Sequence, residues 1–316
     1  MNAVFVEIPA PAPVTAPPAA QRPAPLKRLL RAAPPYLYLA PGLVLLIIWT
    51  YRPLLQTAQL SFFSWNLLPT SPMVPVGTAN YEQLLGAPEL GNAVWNTVLV
   101  IAGLLPFTVV IPVVVALLTR QVGGRLRELH RALIFAPMLV APVASAAVWQ
   151  WLLDPRSGAV NRLLGTEVNW LNESAPAMVS IIGITGWHLL GFAVLLVSAG
   201  LAGINDDYAA AAQLDGASRW QVTRWITLPL LSPTLVFLVL MTVLLGAQWT
   251  FPLIDTLTQG GPAAATTHIY YLLWDYGFHS HQAGLGAAAG VIFFAVFGVV
   301  ALFLVWLADR ISFHDD

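Results

Sequence analysis

Residues 204–229 read INDDYAAAAQLDGASRWQVTRWITLP. Long apolar runs lie on both sides of this stretch; within it, charges cluster. Asp206, Asp207, Asp215, Arg219 and Arg224 would each cost roughly 2.5–3.5 kcal/mol at the centre of a membrane helix. The stretch therefore lies outside the bilayer and joins two spans. It also carries the marks of order. Asn205 or Asp206 caps a first helix, which Ala209 to Ala212 favour by propensity. Gly216 permits the turn that ends it. Ser218 caps a second helix running to Leu228, which Pro229 closes or kinks. A helix–glycine–helix hairpin between two spans is a surface for something to dock against.

The composition agrees with a membrane setting. Of 316 residues, 58% are hydrophobic and 9% charged, against about 25% charged in a soluble domain. The net charge of −1 gives no electrostatic case for nucleic acid as a partner. With no cysteine there is no disulfide, thiolate metal site or cysteine nucleophile. No HExxH-like pair occurs, so no metal site is expected. No GxxxxGK[ST] occurs either, so the chain has no ATPase of its own.

Residues 1–30 are expected to be a disordered tail rich in Pro and Ala, followed by a transmembrane domain over 31–316. A cleaved signal peptide fits poorly, because Lys27, Arg28 and Arg31 precede a full-length span. About 20 apolar residues cross a bilayer. Six stretches qualify, near 36–55, 95–118, 133–153, 178–204, 231–253 and 287–307. Pro106, Pro112, Pro137, Pro142 and Pro252 predict kinks in or at the ends of these spans. With the N-terminus inside, one side holds Arg22, Lys27, Arg28, Arg31, Arg120, Arg125, Arg127, Arg131, Arg219, Arg224 and Arg310. The other holds only Arg52, Arg156 and Arg162. This positive-inside bias puts both termini and the hairpin in the cytoplasm. The predicted fold is an all-α polytopic membrane protein with six transmembrane helices, N-in and C-in. The loops 61–91 and 154–176, with 255–286, then face outward.

The hairpin resembles the EAA loop of ABC importer permeases. The matching positions are Ala210-Ala211-Ala212, then Gly216, Ile226 and Leu228-Pro229, with Asp215-Gly216-Ala217 as the DGA of the sugar-type branch. The family's usual glutamate is Ala210 here. A second stretch is similar to a signature of the sugar-type permeases: Asp255 to Pro262, Thr266-Thr267, Ile269-Tyr270, Gly277-Phe278 and Gly284 to Ala288. Chemically, Gly260-Gly261-Pro262 reads as a tight turn and Gly284 to Gly290 as a close-packing helix face. The resemblance runs from about Leu84 onward and points to the MalF-type and UgpA-type branch, the first of two unlike permeases in a heterodimer.

The resemblance implies a permease subunit in the cytoplasmic (inner) membrane of a bacterium or archaeon. Its partners would be a second permease, a cytosolic ABC ATPase dimer and an extracytoplasmic substrate-binding protein, which the outer loops would face. The chain would bind no cofactor; ATP and Mg²⁺ would sit on the ATPase. The coupling residues carried over are Asp207, Ala210, Ala211, Ala212, Asp215, Gly216, Ala217, Ile226, Leu228 and Pro229. The cargo implied is a mono- or oligosaccharide. A glycerol phosphate or glycerophosphodiester is the alternative. A phosphorylated ligand wants a basic group in the pore, and no Lys or Arg lies mid-span.

Candidate pathway residues follow from intramembrane polarity. Asn96, Trp187, His188, Gln248 and Trp249 combine aromatic faces for sugar C–H surfaces with amide and imidazole groups for hydroxyls. Interfacial belts and helix–helix hydrogen bonds account for the same residue types. A secondary transporter, the reading from another class, would show inverted repeats or ionisable residues at the midplane, and neither occurs. A membrane-embedded enzyme would need a nucleophile and base or a metal cluster, and none stands out.

Overall fold

The structure is a computed structural model and describes residues 38–120 and 124–311. The expected tail over 1–30 lies outside the described residues, as do Arg22, Lys27, Arg28 and Arg31. Five helices are long and apolar enough to cross a membrane: Tyr38–Leu60, Pro88–Thr119, Ser174–Ala202, Ser232–Leu257 and Ala283–Leu307. A bent pair, Ala132–Leu139 with Pro142–Leu152, makes a sixth if it counts as one span. The fold is therefore all-α and polytopic, with a single two-stranded ribbon, Phe63–Ser64 with Val74–Pro75, among the described residues.

The third span departs from expectation. It is not one helix over 133–153 but two, bent by 102° between Leu139 and Pro142. Pro137 sits inside the first half and Pro142 opens the second. Proline lacks an N–H, and its ring collides with the carbonyl four residues back, so a helix cannot run through Pro142 undisturbed. Elsewhere proline is absorbed more gently. Four π-turns occur among the described residues: Ile47–Tyr51, Pro106–Val110, Thr223–Thr227 and Asp275–His279. The first three end two residues before Pro53, Pro112 and Pro229. The carbonyls those rings threaten belong to Trp49, Thr108 and Trp225, each inside its π-turn. A turn widened by one residue moves that carbonyl off the ring, so the helix continues.

The chain divides into two compact units after Leu55. The described part of the first, from Tyr38, is helical, and large apolar side chains such as Leu45, Trp49 and Leu55 are exposed on it. The second holds the packed core. Its centre is the fourth span, 56% buried over its most apolar window against 28% for the second and fifth. Ala193, Val197 and Leu201 meet Ala116 of the second span and Leu238 of the fifth. Ile181 and Ile184 meet Ala146 of the bent span and Leu253 and Ile254 of the fifth. The sixth span docks by a different device. Gly284 lies so close to the ribbon that a Cβ there would fall 1.8 Å from the Phe63 carbonyl oxygen. Asn80 binds the same corner, donating its Nδ2–H groups to the carbonyls of Ser61 at 2.8 Å and Phe63 at 3.0 Å.

Candidate coupling hairpin and transport path

The hairpin is built from local hydrogen bonds. Asn205 accepts from the Asp207 N–H at 3.0 Å and caps the helix Asp206–Leu214. That helix closes with the Gly216 N–H on the Gln213 carbonyl at 3.1 Å and the Ala217 N–H on the Ala212 carbonyl at 2.9 Å. This is a Schellman arrangement, which requires a left-handed residue. Gly216 supplies it at φ +87°. Nothing lies within 4 Å of a Cβ built there, so the demand for glycine is torsional, not steric. Ser218 then opens the second helix through a reciprocal box with Gln221. Helical backbone runs on through Thr223–Thr227 to Leu228–Leu230.

Of the residues carried over from the EAA pattern, Asp207, Ala210, Ala211, Asp215 and Gly216 are exposed. Ala212, Ala217, Ile226, Leu228 and Pro229 are half-buried. The caps and charges of the hairpin do not by themselves point to its apolar surface. Leu214 is 89% exposed, Trp220 68% and Trp225 70%, and the Arg224 guanidinium lies 5.4 Å from the Trp225 ring centroid. Large apolar side chains are thus open to solvent within a short, otherwise polar stretch. A signal existed in the two tryptophans among polar neighbours. Asp206 is ion-paired within the chain to Arg120 at the end of the second span.

The pathway candidates are scattered. Asn96 is buried and donates both Nδ2–H groups, to the Ala264 carbonyl at 3.0 Å and the Thr267 carbonyl at 2.9 Å. His188 is buried, with Nε2 2.7 Å from the Ser145 hydroxyl of the bent span. Trp187 is partly exposed and stands edge-on to Trp149, ring centroids 5.7 Å apart. Gln248 is exposed. Trp249 lines an apolar cavity of about 90 Å³ with Leu189, Phe192 and Leu245. The hydroxyls of Thr108 and Thr242 meet at that cavity, 2.8 Å apart, joining the second and fifth spans. No ring contact or hydrogen bond joins the Trp187/His188 pair to the Gln248/Trp249 pair among the described residues.

The segment between the fifth and sixth spans is an ordered knot. The Gly261 N–H bonds the Thr258 carbonyl at 2.8 Å, closing the expected turn. Thr266 is buried between the Thr258 hydroxyl and the Gly261 carbonyl, each at 2.8 Å. His268 is fully buried. Its Nδ1 accepts from the Tyr271 N–H at 2.9 Å, so Nε2 carries the proton and donates to Thr250 at 2.9 Å. Burial pushes its pKa down to about 4, so the ring is neutral. The loop after the bent span is ordered too, around Asn161. That side chain donates to the Val168 carbonyl at 2.9 Å and accepts from Trp170 Nε1 at 2.7 Å.

Residues 108–312 match the family described as binding-protein-dependent transport system inner membrane component. A probable ABC transporter permease protein of Pyrococcus horikoshii is 32% identical over 280 residues, covering 85% of this chain and 94% of its own. The trehalose/maltose transport system permease protein MalF of Thermococcus litoralis is 31% identical over 279 residues, covering 86% and 92%. Among solved structures, a chain of a bacterial ABC transporter involved in the import of the acidic polysaccharide alginate superposes with a TM-score of 0.78. It is 24% identical and covers 91% of this chain and 99% of that one; at that identity the likeness is one of fold. This protein belongs to the inner-membrane permease family of binding-protein-dependent transport systems.

Proposed function

We propose that this chain is one permease of a heterodimer that carries a saccharide across the membrane, with a separate ATPase docked on residues 204–229. The observation that carries the reading is the hairpin: two capped helices, locked at Gly216, that present Leu214, Trp220 and Trp225 to solvent at one end of the bundle. An exposed apolar surface on an otherwise polar connector calls for a partner. The positive-inside bias puts that end in the cytoplasm, with both termini. ATP-driven closure of the ATPase dimer would then move the hairpin and the helices attached to it. Arg120 and Asp206 link the hairpin to the second span, so its motion reaches a helix that packs on the core. With Ala at 210, the acidic groups left for the ATPase are Asp207 and Asp215, both exposed. A binding protein would deliver the cargo on the opposite face. Saccharide is favoured by the trehalose/maltose permease among the relatives and by the uncharged aromatic and amide side chains of Trp187, Gln248 and Trp249.

The test uses Gly216→Val in the assembled transporter. The spans insert by their own hydrophobicity, so the subunit should reach the membrane at a near-normal level. The ATPase should no longer co-purify, and uptake should be lost. Normal transport with the ATPase still bound would remove 204–229 from the coupling role. A cysteine placed at Ala217, in a chain that has none, reports sidedness. Labelling by an impermeant thiol reagent in intact cells would reverse the orientation.

A further inference from the structure

On the face opposite the hairpin, the ribbon, the helix Ala79–Leu85 and the start of the sixth span enclose a groove of about 360 Å³. We propose that this groove binds a neutral oligosaccharide, as a station on the delivery side ahead of the intramembrane path. The inference rests on the saccharide reading above.

The chemistry of the lining points to the ligand. Trp65 offers ring surface, since its indole N–H is already engaged on the Leu68 carbonyl at 3.2 Å. Asn66, Gln83 and Gln282 add amides, Ser71 a hydroxyl and His281 an imidazole. The side chains of Gln83 and Gln282 are exposed and make no hydrogen bond among the described residues. Among the described residues, no Lys, Arg, Asp or Glu lines the groove. An aromatic face surrounded by neutral donors and acceptors suits a polyhydroxylated ligand with no charge. A phosphate or uronate would lack a cationic partner. The volume lies in the range of about 300–1,000 Å³ usual for small-molecule sites.

The groove is also built, not incidental. Its floor is the corner at which Gly284 meets the Phe63 carbonyl and Asn80 holds the carbonyls of Ser61 and Phe63. The Ala283 N–H donates to the Trp65 carbonyl at 2.9 Å, pinning the backbone that carries the indole. A pre-formed site avoids the ordering cost that a loose loop would impose on binding.

The experiment uses the transporter in nanodiscs, this chain with its second permease and ATPase but without the binding protein. It is applied to an array of neutral gluco-, galacto-, manno- and xylo-oligosaccharides. Wild type should bind at least one class. Trp65→Ala should weaken that binding about tenfold or more. Gln83→Ala, at an exposed position with little bearing on folding, should weaken it measurably as well. No binding by wild type, or unchanged binding by both variants, overturns the proposal. Loss of binding-protein-stimulated ATPase activity in both variants, with array binding unchanged, would make the groove a protein contact and also overturns it. The saccharide reading is scored separately: it falls if no sugar-loaded binding protein stimulates the ATPase of the wild-type transporter, whatever the array shows.

Discussion

The hairpin at 204–229 and the knot at 258–268 both use left-handed backbone, and they reach it by opposite means. The hairpin puts a glycine there, Gly216 at φ +87°, in open space. The cap and turn bonds that shape it each span five residues or fewer, and the Arg120–Asp206 pair then ties it to the second span. The knot puts ordinary residues there: Gln259 at φ +47°, Ala263 at +47° and Ala264 at +60°, beside Gly260 at +79°. An L-residue in that region costs roughly 1–2 kcal/mol. Packing must hold it, and the groups that do so come from far away. Asn96 grips the Ala264 carbonyl from 168 residues earlier, and Thr97 accepts from the Ile269 N–H at 3.0 Å. One region is shaped by its own sequence and the other by its surroundings.

The largest effect should come from breaking the corner that supports the distant end of the bundle. Gly284→Val would drive a Cβ into the Phe63 carbonyl, a backbone group that no rotamer change can move. Overpacking costs about 1–3 kcal/mol in a typical core and occasionally more; a backbone contact this close should reach at least the upper end. Thermal unfolding in detergent should show a clear drop in Tm, and the ribbon should become open to protease.

Acid should act next, through the knot. The folded pKa of His268, about 4, lies below the ordinary 6.5. Below 6.5 the unfolded chain binds more protons than the folded one, so stability falls as pH drops towards 4. From pH 7 to pH 5 the loss from this group should be about 2 kcal/mol. A proton on Nδ1 would also face the Tyr271 N–H and break the cap. His268→Asn should flatten the pH dependence of Tm over that window; an unchanged slope would mean that the ring titrates normally.

The smallest effect sharpens the contrast directly. Gly216→Ala should destabilise by about 1 kcal/mol, because alanine meets no neighbour there yet must occupy the left-handed region. Ala264→Gly should do the reverse, or be neutral. It relieves the torsion but adds freedom to the unfolded chain, which takes back roughly 0.5–1 kcal/mol. If both exchanges destabilise equally, the two regions do not differ in how they hold left-handed backbone.

The same contrast decides what could be read without the structure. The caps at Asn205 and Ser218 and the turn at Gly216 were legible because each rests on residues within one or two turns of helix. The six apolar stretches were legible because crossing a bilayer is a matter of length and hydropathy. Asn96 shows the limit: a polar residue inside a span marks something to be bonded, but not which carbonyl does so. Arg120 and Asp206 were both visible as charges, and 86 positions of sequence hid that they meet.

The prolines draw the line most sharply. By itself the sequence determined an all-helical membrane chain, where its apolar stretches lie, which connector is an ordered hairpin, and that Pro112, Pro142 and Pro229 disturb their helices, because those follow from local sterics and transfer energies. Only the tertiary structure decided that Pro112 and Pro229 are absorbed by a widened turn while the helix before Pro142 breaks by 102°. It likewise decided that the fourth span is the centre of the core, and that Trp65, Gln83 and Gln282 share one groove. Those outcomes depend on which neighbours can fill the space beside a helix, and a neighbour far along the chain leaves no local trace.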